Sequence, residues 1–262
     1  MEQKILVLSG KKGSGKNTSA NYLIGYHLLL NGITNNAEVD ELGQLWIQSE
    51  YEEDGQIISG MGVLDPERKD RDFFLWAQNE MYPYVKNYSF AQFLKTSCIR
   101  LFGLTYNQCY GSNDDKNSPT ELKWSSFYLF LDAKFKKELK KSNKLDEFMT
   151  AREVLQYYGS SVVRKINPNA WADAVKRKIL EEQIPFCIVT DCRFSNEIES
   201  IQSIGGKVIR FLRNPYDDKH ESETALDKYP ENKFDWILDN SNQSIEEQND
   251  SVIEKLNQWG WL

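Results

Sequence analysis

The stretch Gly10-Lys11-Lys12-Gly13-Ser14-Gly15-Lys16-Asn17-Thr18 lies between an apolar run, Ile5 to Leu8, and a helical pattern from Asn17 to about Asn31. No other feature narrows the fold so far. A buried strand that breaks into glycines and re-enters as a helix is a strand–loop–helix unit. The glycines let backbone N–H groups turn inward, and the helix N-terminus adds unsatisfied donors and a favourable dipole. Such a loop is a cradle for phosphate, and Lys16 places a compact positive charge on the β- and γ-phosphates. The segment is therefore expected to be a P-loop that holds ATP through Gly10, Lys12, Gly13, Ser14, Gly15, Lys16, Asn17 and Thr18. A Ser or Thr usually follows the lysine and holds Mg²⁺. Here Asn17 follows it, so Mg²⁺ is expected to be held mainly by phosphates and water.

The rest of the chain supports a parallel sheet sandwiched by helices. Further strands are expected at Val85 to Phe90, Phe186 to Val189, Lys207 to Leu212 and Trp236 to Leu238. Helices are expected over about 150–164, 169–182, 196–204 and 244–257. Strands alternating with helices imply an α/β fold. In the first helix, Tyr22, Leu23, Tyr26, Leu29 and Leu30 form the expected apolar stripe, and Gly32 is the expected stop. Two stretches interrupt the pattern. Residues 38–72 carry Leu45-Trp46-Ile47 and Ile57-Ile58 around an Asp54-Gly55 pair, which reads as a β-hairpin insertion. Residues 112–147 read as a second, polar insertion whose lysines, from Lys134 to Lys144, line either a solvated helix face or a mobile flap near phosphates. With no linker or repeat, one domain over 1–262 is expected, with a lid-like polar loop over about 213–233.

Composition excludes several functions. The net charge is -7 with a pI of about 5.1, a field that repels long polyanions, so nucleic acid is not expected as a partner. Cys98, Cys109, Cys187 and Cys192 have no metal-site spacing, and His27 and His220 are the only histidines. Zinc is therefore not expected, and reduced, buried thiols are. No apolar run is long enough to span a bilayer and none reads as a signal peptide. A cytoplasmic protein is expected, and the insertions leave a homodimer open.

Asp191 stands at the C-terminal end of an apolar strand, where ligands of parallel sheets bind. A carboxylate there can order the Mg²⁺ shell, through water, or accept a proton. Arg193 could clamp a phosphate. On the helix near 151–162, Arg152 and Gln156 are i,i+4 neighbours with Gly159 on the same edge. Arg152 suits an acceptor phosphate, Gln156 suits a base edge, and Gly159 would let a ring approach. Lys95, Arg164 and Arg213 follow element ends, where they could neutralise phosphoryl charge. His220 and Glu223 lie in the long loop, as lid or cap.

These pieces together resemble the bacteriophage deoxynucleoside monophosphate kinase family. The matching stretches are Leu6 to Thr18, Phe90 to Lys95, Ala151 to Gln156 through Gly159, Trp171, Asp191-Cys192-Arg193-Phe194 with Asn196-Glu197, Gly205-Gly206 and His220-Glu221-Ser222-Glu223. Asp218 to Asn240 also looks like animal phosphomevalonate kinase. The resemblance implies a P-loop fold like that of nucleoside monophosphate kinases, ATP with Mg²⁺, and dNMP acceptors. On it, Lys16, Asp191 and Arg193 carry the transfer, and Lys95, Arg152, Gln156, Arg164, Trp171, Arg213, His220 and Glu223 hold substrate. Two other expectations stand beside it. One is a P-loop kinase for another phosphorylated metabolite such as phosphomevalonate. The other is a nucleotide-binding switch or assembly ATPase, which would expect an extended acidic strand end where this chain has Asp191 with Arg193.

Overall fold

The structure is a computed structural model, described here for residues 3–53, 56–68, 70–216 and 221–262. Among these residues ten strands form: β1 (Lys4–Ser9), β2 (Ala37–Val39), β3 (Leu45–Glu53), β4 (Gln56–Leu64), β5 (Val85–Tyr88), β6 (Pro119–Lys123), β7 (Phe148–Thr150), β8 (Phe186–Cys192), β9 (Lys207–Phe211) and β10 (Trp236–Leu238). Contacts divide the chain into two compact units, Met1–Ser89 with Lys176–Leu262, and Phe90–Val175.

The first unit is built on a parallel sheet of order β10-β9-β1-β8-β5. β1 is central, and Ile5, Leu6, Val7 and Leu8 are buried, as expected of a strand covered on both faces. All five expected core strands are present. The helix Lys16–Leu30 starts at the end of the glycine loop and stops at Asn31, with Gly32 at φ 68°. Of the expected stripe Leu23 is buried and Tyr22 and Tyr26 are half-buried, but the buried face is centred elsewhere. The helix buries Lys16, Ser19, Ala20, Leu23, Ile24 and Leu28, while Leu29 and Leu30 are exposed. The physical reason is phase. Lys16 must face the loop, and positions three, four, seven, eight and twelve further on share its side of the helix. Counting apolar residues missed this, because the face begins with a lysine and a serine.

The expected hairpin is the β3–β4 pair, antiparallel from Leu45↔Leu64 to Glu53↔Gln56, with β2 on its other edge. The expected turn residues Asp54 and Gly55 lie outside the described residues. Asn21 in the first helix donates to the Gly43 carbonyl at 2.8 Å and fastens the hairpin's base.

The second unit has its own apolar core. The stretch expected as a polar insertion contributes Trp124, Phe127, Leu131 and Leu139 to it, beside Met149, Ala151 and Val154. These aromatics lie between charged residues in sequence, so the average polarity hid them. The lysines from Lys134 to Lys141 belong to the helix Ala133–Lys141, whose buried residue is Leu139, and Lys144 lies beyond its end. The helix Ala151–Tyr157 begins with a Thr150–Glu153 capping box and passes into a wider-wound segment, Tyr158–Val163. Gly159 sits in that segment. A Cβ there would come within 2.9 Å of Leu94, so the glycine admits a leucine, where the sequence suggested a ring. Among the described residues no helix is long and apolar enough to cross a membrane.

Candidate active site

β1 ends at Ser9, and the chain turns through Gly10 to Gly15 into the first helix. Gly15 is the N-cap residue, left-handed at φ 94° and ψ 3°. Gly13 is also left-handed, and a Cβ there would meet Pro215 and Tyr216, each at 2.8 Å. Both positions demand glycine for conformation and for space. The Lys16 ammonium turns back into the loop and donates to the carbonyls of Gly10 and Lys11, both at 2.8 Å, and to Ser14 Oγ at 3.3 Å. Lys16 is buried. Its pKa falls from 10.5 to about 8, first through burial and then through the positive charges of Arg193 and Arg210, which outweigh Asp191. Three cations are thus gathered at the loop against the repulsion between them. That arrangement fits a polyanion, as do the first-turn amides of the helix, which have no acceptor within it.

The strand ends supply the rest. Asp191 lies in β8 and accepts from Ser89 Oγ at 2.6 Å. The buried Glu197 carboxylate accepts from the backbone of Arg193 at 2.8 Å and of Phe194 at 3.1 Å, fixing the turn after β8. The Arg193 guanidinium donates to Glu223. Glu223 also accepts from the Lys12 amide at 2.8 Å. Arg193 thus meets the loop through Glu223, and Asp191 lies within electrostatic reach of Lys16. A nucleotide's phosphates fit this donor set. Mg²⁺ fits it through the phosphates, with Asp191 as the carboxylate on hand.

Arg213 is differently occupied. Its guanidinium donates to the Asn240 carbonyl at 3.0 and 2.9 Å and to that of Gln243 at 2.5 Å, closing the loop after β10. His220 lies outside the described residues. In the second unit, Arg152 donates to Asn117 at 3.0 Å and to Asn113 at 3.1 Å. Gln156 and Arg164 are half-buried, and the Lys95 ammonium stands 4.2 Å above the Tyr110 ring. The Trp171 indole is buried, its N–H on the Gly159 carbonyl at 3.3 Å.

Sequence reasoning missed three contributors. Arg210 stands in β9 opposite Ser9 and donates to the Ser9 hydroxyl at 3.2 Å. Gln248 and Asn240, both fully buried, lie behind the loop. Signals existed for two of them. Arg210 interrupts the apolar run Val208-Ile209-Arg210-Phe211, and Gln248 occupies the stripe that Val252 and Leu256 continue.

Comparison with known proteins agrees with this reading. The family model for deoxynucleotide monophosphate kinase matches residues 85–252, more than half of the chain. A curated protein of Acanthamoeba polyphaga mimivirus, provisionally named a deoxynucleotide monophosphate kinase, is 28% identical over 179 residues, 63% of this chain and 79% of that protein. The family match begins after the glycine loop, so loop and match are separate lines of support. The chain belongs to the deoxynucleotide monophosphate kinase family and is a phosphotransferase acting on nucleotides.

Proposed function

We propose that the chain transfers the γ-phosphoryl group of ATP to the phosphate of a deoxynucleoside monophosphate, giving ADP and the deoxynucleoside diphosphate. The observation that carries this is Lys16, buried in a glycine loop at a helix N-terminus and crowded by Arg193 and Arg210.

A phosphate oxygen of the acceptor attacks the γ-phosphorus, and the bond from that phosphorus to the β,γ-bridging oxygen breaks. The attacking oxygen is already ionised at neutral pH, so no general base is needed. The chain's work is positioning and charge stabilisation. Loop amides and Lys16 hold the β- and γ-phosphates. Arg193 and Arg210 offset the charge that develops on the transferring group. Mg²⁺, when bound, would neutralise further charge on the phosphates, and Asp191, held by Ser89, would be the carboxylate that holds it through water. Lys95, Arg152, Gln156 and Arg164 are assigned to acceptor recognition, with Trp171 as a packing support and Arg213 closing the loop beside the nucleotide. His220 keeps its assignment from sequence alone. The chain acts in the cytoplasm of the cell that makes it.

The test is ADP release from ATP·Mg²⁺ with dGMP, dTMP, dCMP, dAMP, the ribonucleotides and phosphomevalonate. Turnover with one or more deoxynucleotides, giving the diphosphate, is the expected result. Turnover with phosphomevalonate alone would move the acceptor and keep the mechanism. No turnover with any acceptor, alongside tight ATP binding, would overturn the reading.

A further inference from the structure

We propose that Glu223 is a positioning residue for phosphoryl transfer, a buried carboxylate that ties the phosphate loop to Arg193 and so fixes the direction of that guanidinium. The proposal rests on the transfer reading above and on contacts that sequence alone did not suggest. The Glu223 side chain is only 4% exposed. A carboxylate is not left in such a place unpaired. Its two oxygens divide the work: Oε2 accepts from the Lys12 amide at 2.8 Å, and Oε1 accepts from Arg193 Nη1. One side chain thereby bridges the loop after β1 and the turn after β8.

The neighbouring residues repeat the pattern more weakly. Asp227, four positions on, reaches Lys11 Nζ at 3.3 Å and Arg210 at 4.0 Å. Both carboxylates of this short segment thus meet one loop lysine residue and one strand-end arginine. Asp227 is 39% exposed, so its pairs are screened and secondary. Leu226, between them in sequence, is buried and anchors the segment.

Two readings of the bridge predict opposite signs. A carboxylate seated among phosphate-binding groups could compete with the nucleotide. Alternatively it could pre-organise them. The geometry favours the second. Glu223 takes the amide of Lys12, in the arm of the loop that leaves β1. The helix donors that cradle a phosphate begin at Lys16, on the other arm. The guanidinium carries five N–H donors in a rigid fork, so tethering Nη1 to a group that is itself fixed on backbone directs the remainder. A tethered arginine loses less orientational freedom as charge develops on the phosphoryl group, which is how preorganised donors act.

The experiment compares steady-state kinetics, in the full chain, of Arg193→Ala, Glu223→Ala, Glu223→Gln and the Glu223→Ala/Arg193→Ala double variant, with thermal unfolding alongside. Glutamine offers one acceptor oxygen for two donors, so it keeps the shape and breaks one link. Glu223→Gln is expected to lower kcat ~10-fold and Glu223→Ala by more, with the KM for ATP within ~3-fold of the parent. In the Arg193→Ala background, Glu223→Ala is expected to add less than ~2-fold, because its route of action is already gone. A lower ATP KM or a raised kcat in either Glu223 variant would overturn the proposal in favour of competition. Independent, multiplying effects of the two substitutions would also overturn it while leaving the transfer reading intact. Full turnover by Arg193→Ala alone would instead remove the role given to Arg193. Should Glu223→Ala fail to fold, Glu223→Gln decides: unchanged kcat would sink the assignment.

Discussion

The side-chain amide of Asn240 donates to the Ser14 carbonyl at 2.8 Å, across 226 positions of sequence. The same amide reaches Gln248 Oε1 at 2.6 Å. Gln248 in turn donates to the Gly15 carbonyl at 3.1 Å and to Ser19 Oγ at 2.8 Å. Two buried amides thus hold the inner carbonyls of the phosphate loop. A peptide unit is planar, so a carbonyl held on one side directs the next N–H to the other. The C-terminal helix Ile245–Gln258 and the loop before it thereby set the aim of the cradle.

Gln248→Leu follows directly from this arrangement. It leaves the Gly15 carbonyl and the Ser19 hydroxyl without that partner in a buried place, and stability is expected to fall by about 1–3 kcal/mol. The loop is expected to lose its aim as well, so the ATP KM should rise. Urea unfolding and ATP titration of one preparation check both. An unchanged KM with lowered stability would reduce Gln248 to a packing role.

Lys16→Ala removes the charge that the proposed transfer requires. Turnover is expected to fall by ~10³-fold or more. The fold should persist, because the ammonium it removes is buried beside two other cations. Circular dichroism with a coupled ADP assay separates the two. Normal turnover in a folded Lys16→Ala protein would remove the phosphate-loop assignment.

The pKa of about 8 for Lys16 in the ligand-free protein has a visible consequence. On the proposed transfer the protonated form holds phosphate, and kcat/KM reports the free enzyme. With ATP varied, kcat/KM should therefore fall as pH rises through about 8, while kcat should hold to higher pH, because bound phosphate restores the proton. A pH–rate profile in both parameters tests this. Parallel curves for the two would contradict it.

His27 gives a prediction on stability. Burial, with the charge of Lys4 second, lowers its pKa from 6.5 to about 4, and its ring lies 4.4 Å from that of Phe186. Between those values the unfolded chain binds the proton and the folded chain resists it, so stability rises with pH across that window. The contribution is fully present above about 6.5 and is lost as pH falls towards about 4. Its size is on the order of 3 kcal/mol from the shift. His27→Leu should flatten this part of the stability curve, read by urea unfolding at pH 7 and pH 4.5. An identical slope in both proteins would assign the acid sensitivity to other groups.

Much of this molecule was legible before its structure. The five core strands, the stop at Gly32 and the glycine loop are local patterns, set by periodicity two or 3.6 and by glycine's access to positive φ. The hairpin was legible for the same reason, since Leu45-Trp46-Ile47 and Ile57-Ile58 carry strand propensity on either side of a turn. The second core was less so. Trp124 and Phe127 sit among lysines and serines, and only packing shows which neighbours they meet.

The candidate site divides along the same line. Lys16, Asp191 and Arg193 were named from sequence because each stands in or beside a motif or at a strand end. Arg210, Asn240, Gln248 and the bridging role of Glu223 were not, because their meaning lies in partners far along the chain. Arg210 meets Ser9 only through the β1–β9 register, and Asn240 and Gln248 meet the loop only once the last helix packs behind it. Sequence alone determined that a strand would break into a glycine loop at a helix N-terminus and that a parallel sheet would carry it. Tertiary structure decided the phase of the first helix, the charges gathered at the cradle and the buried amides that aim it. Backbone periodicity is a local property of the chain, whereas burial and charge proximity are properties of residues brought together from its two ends.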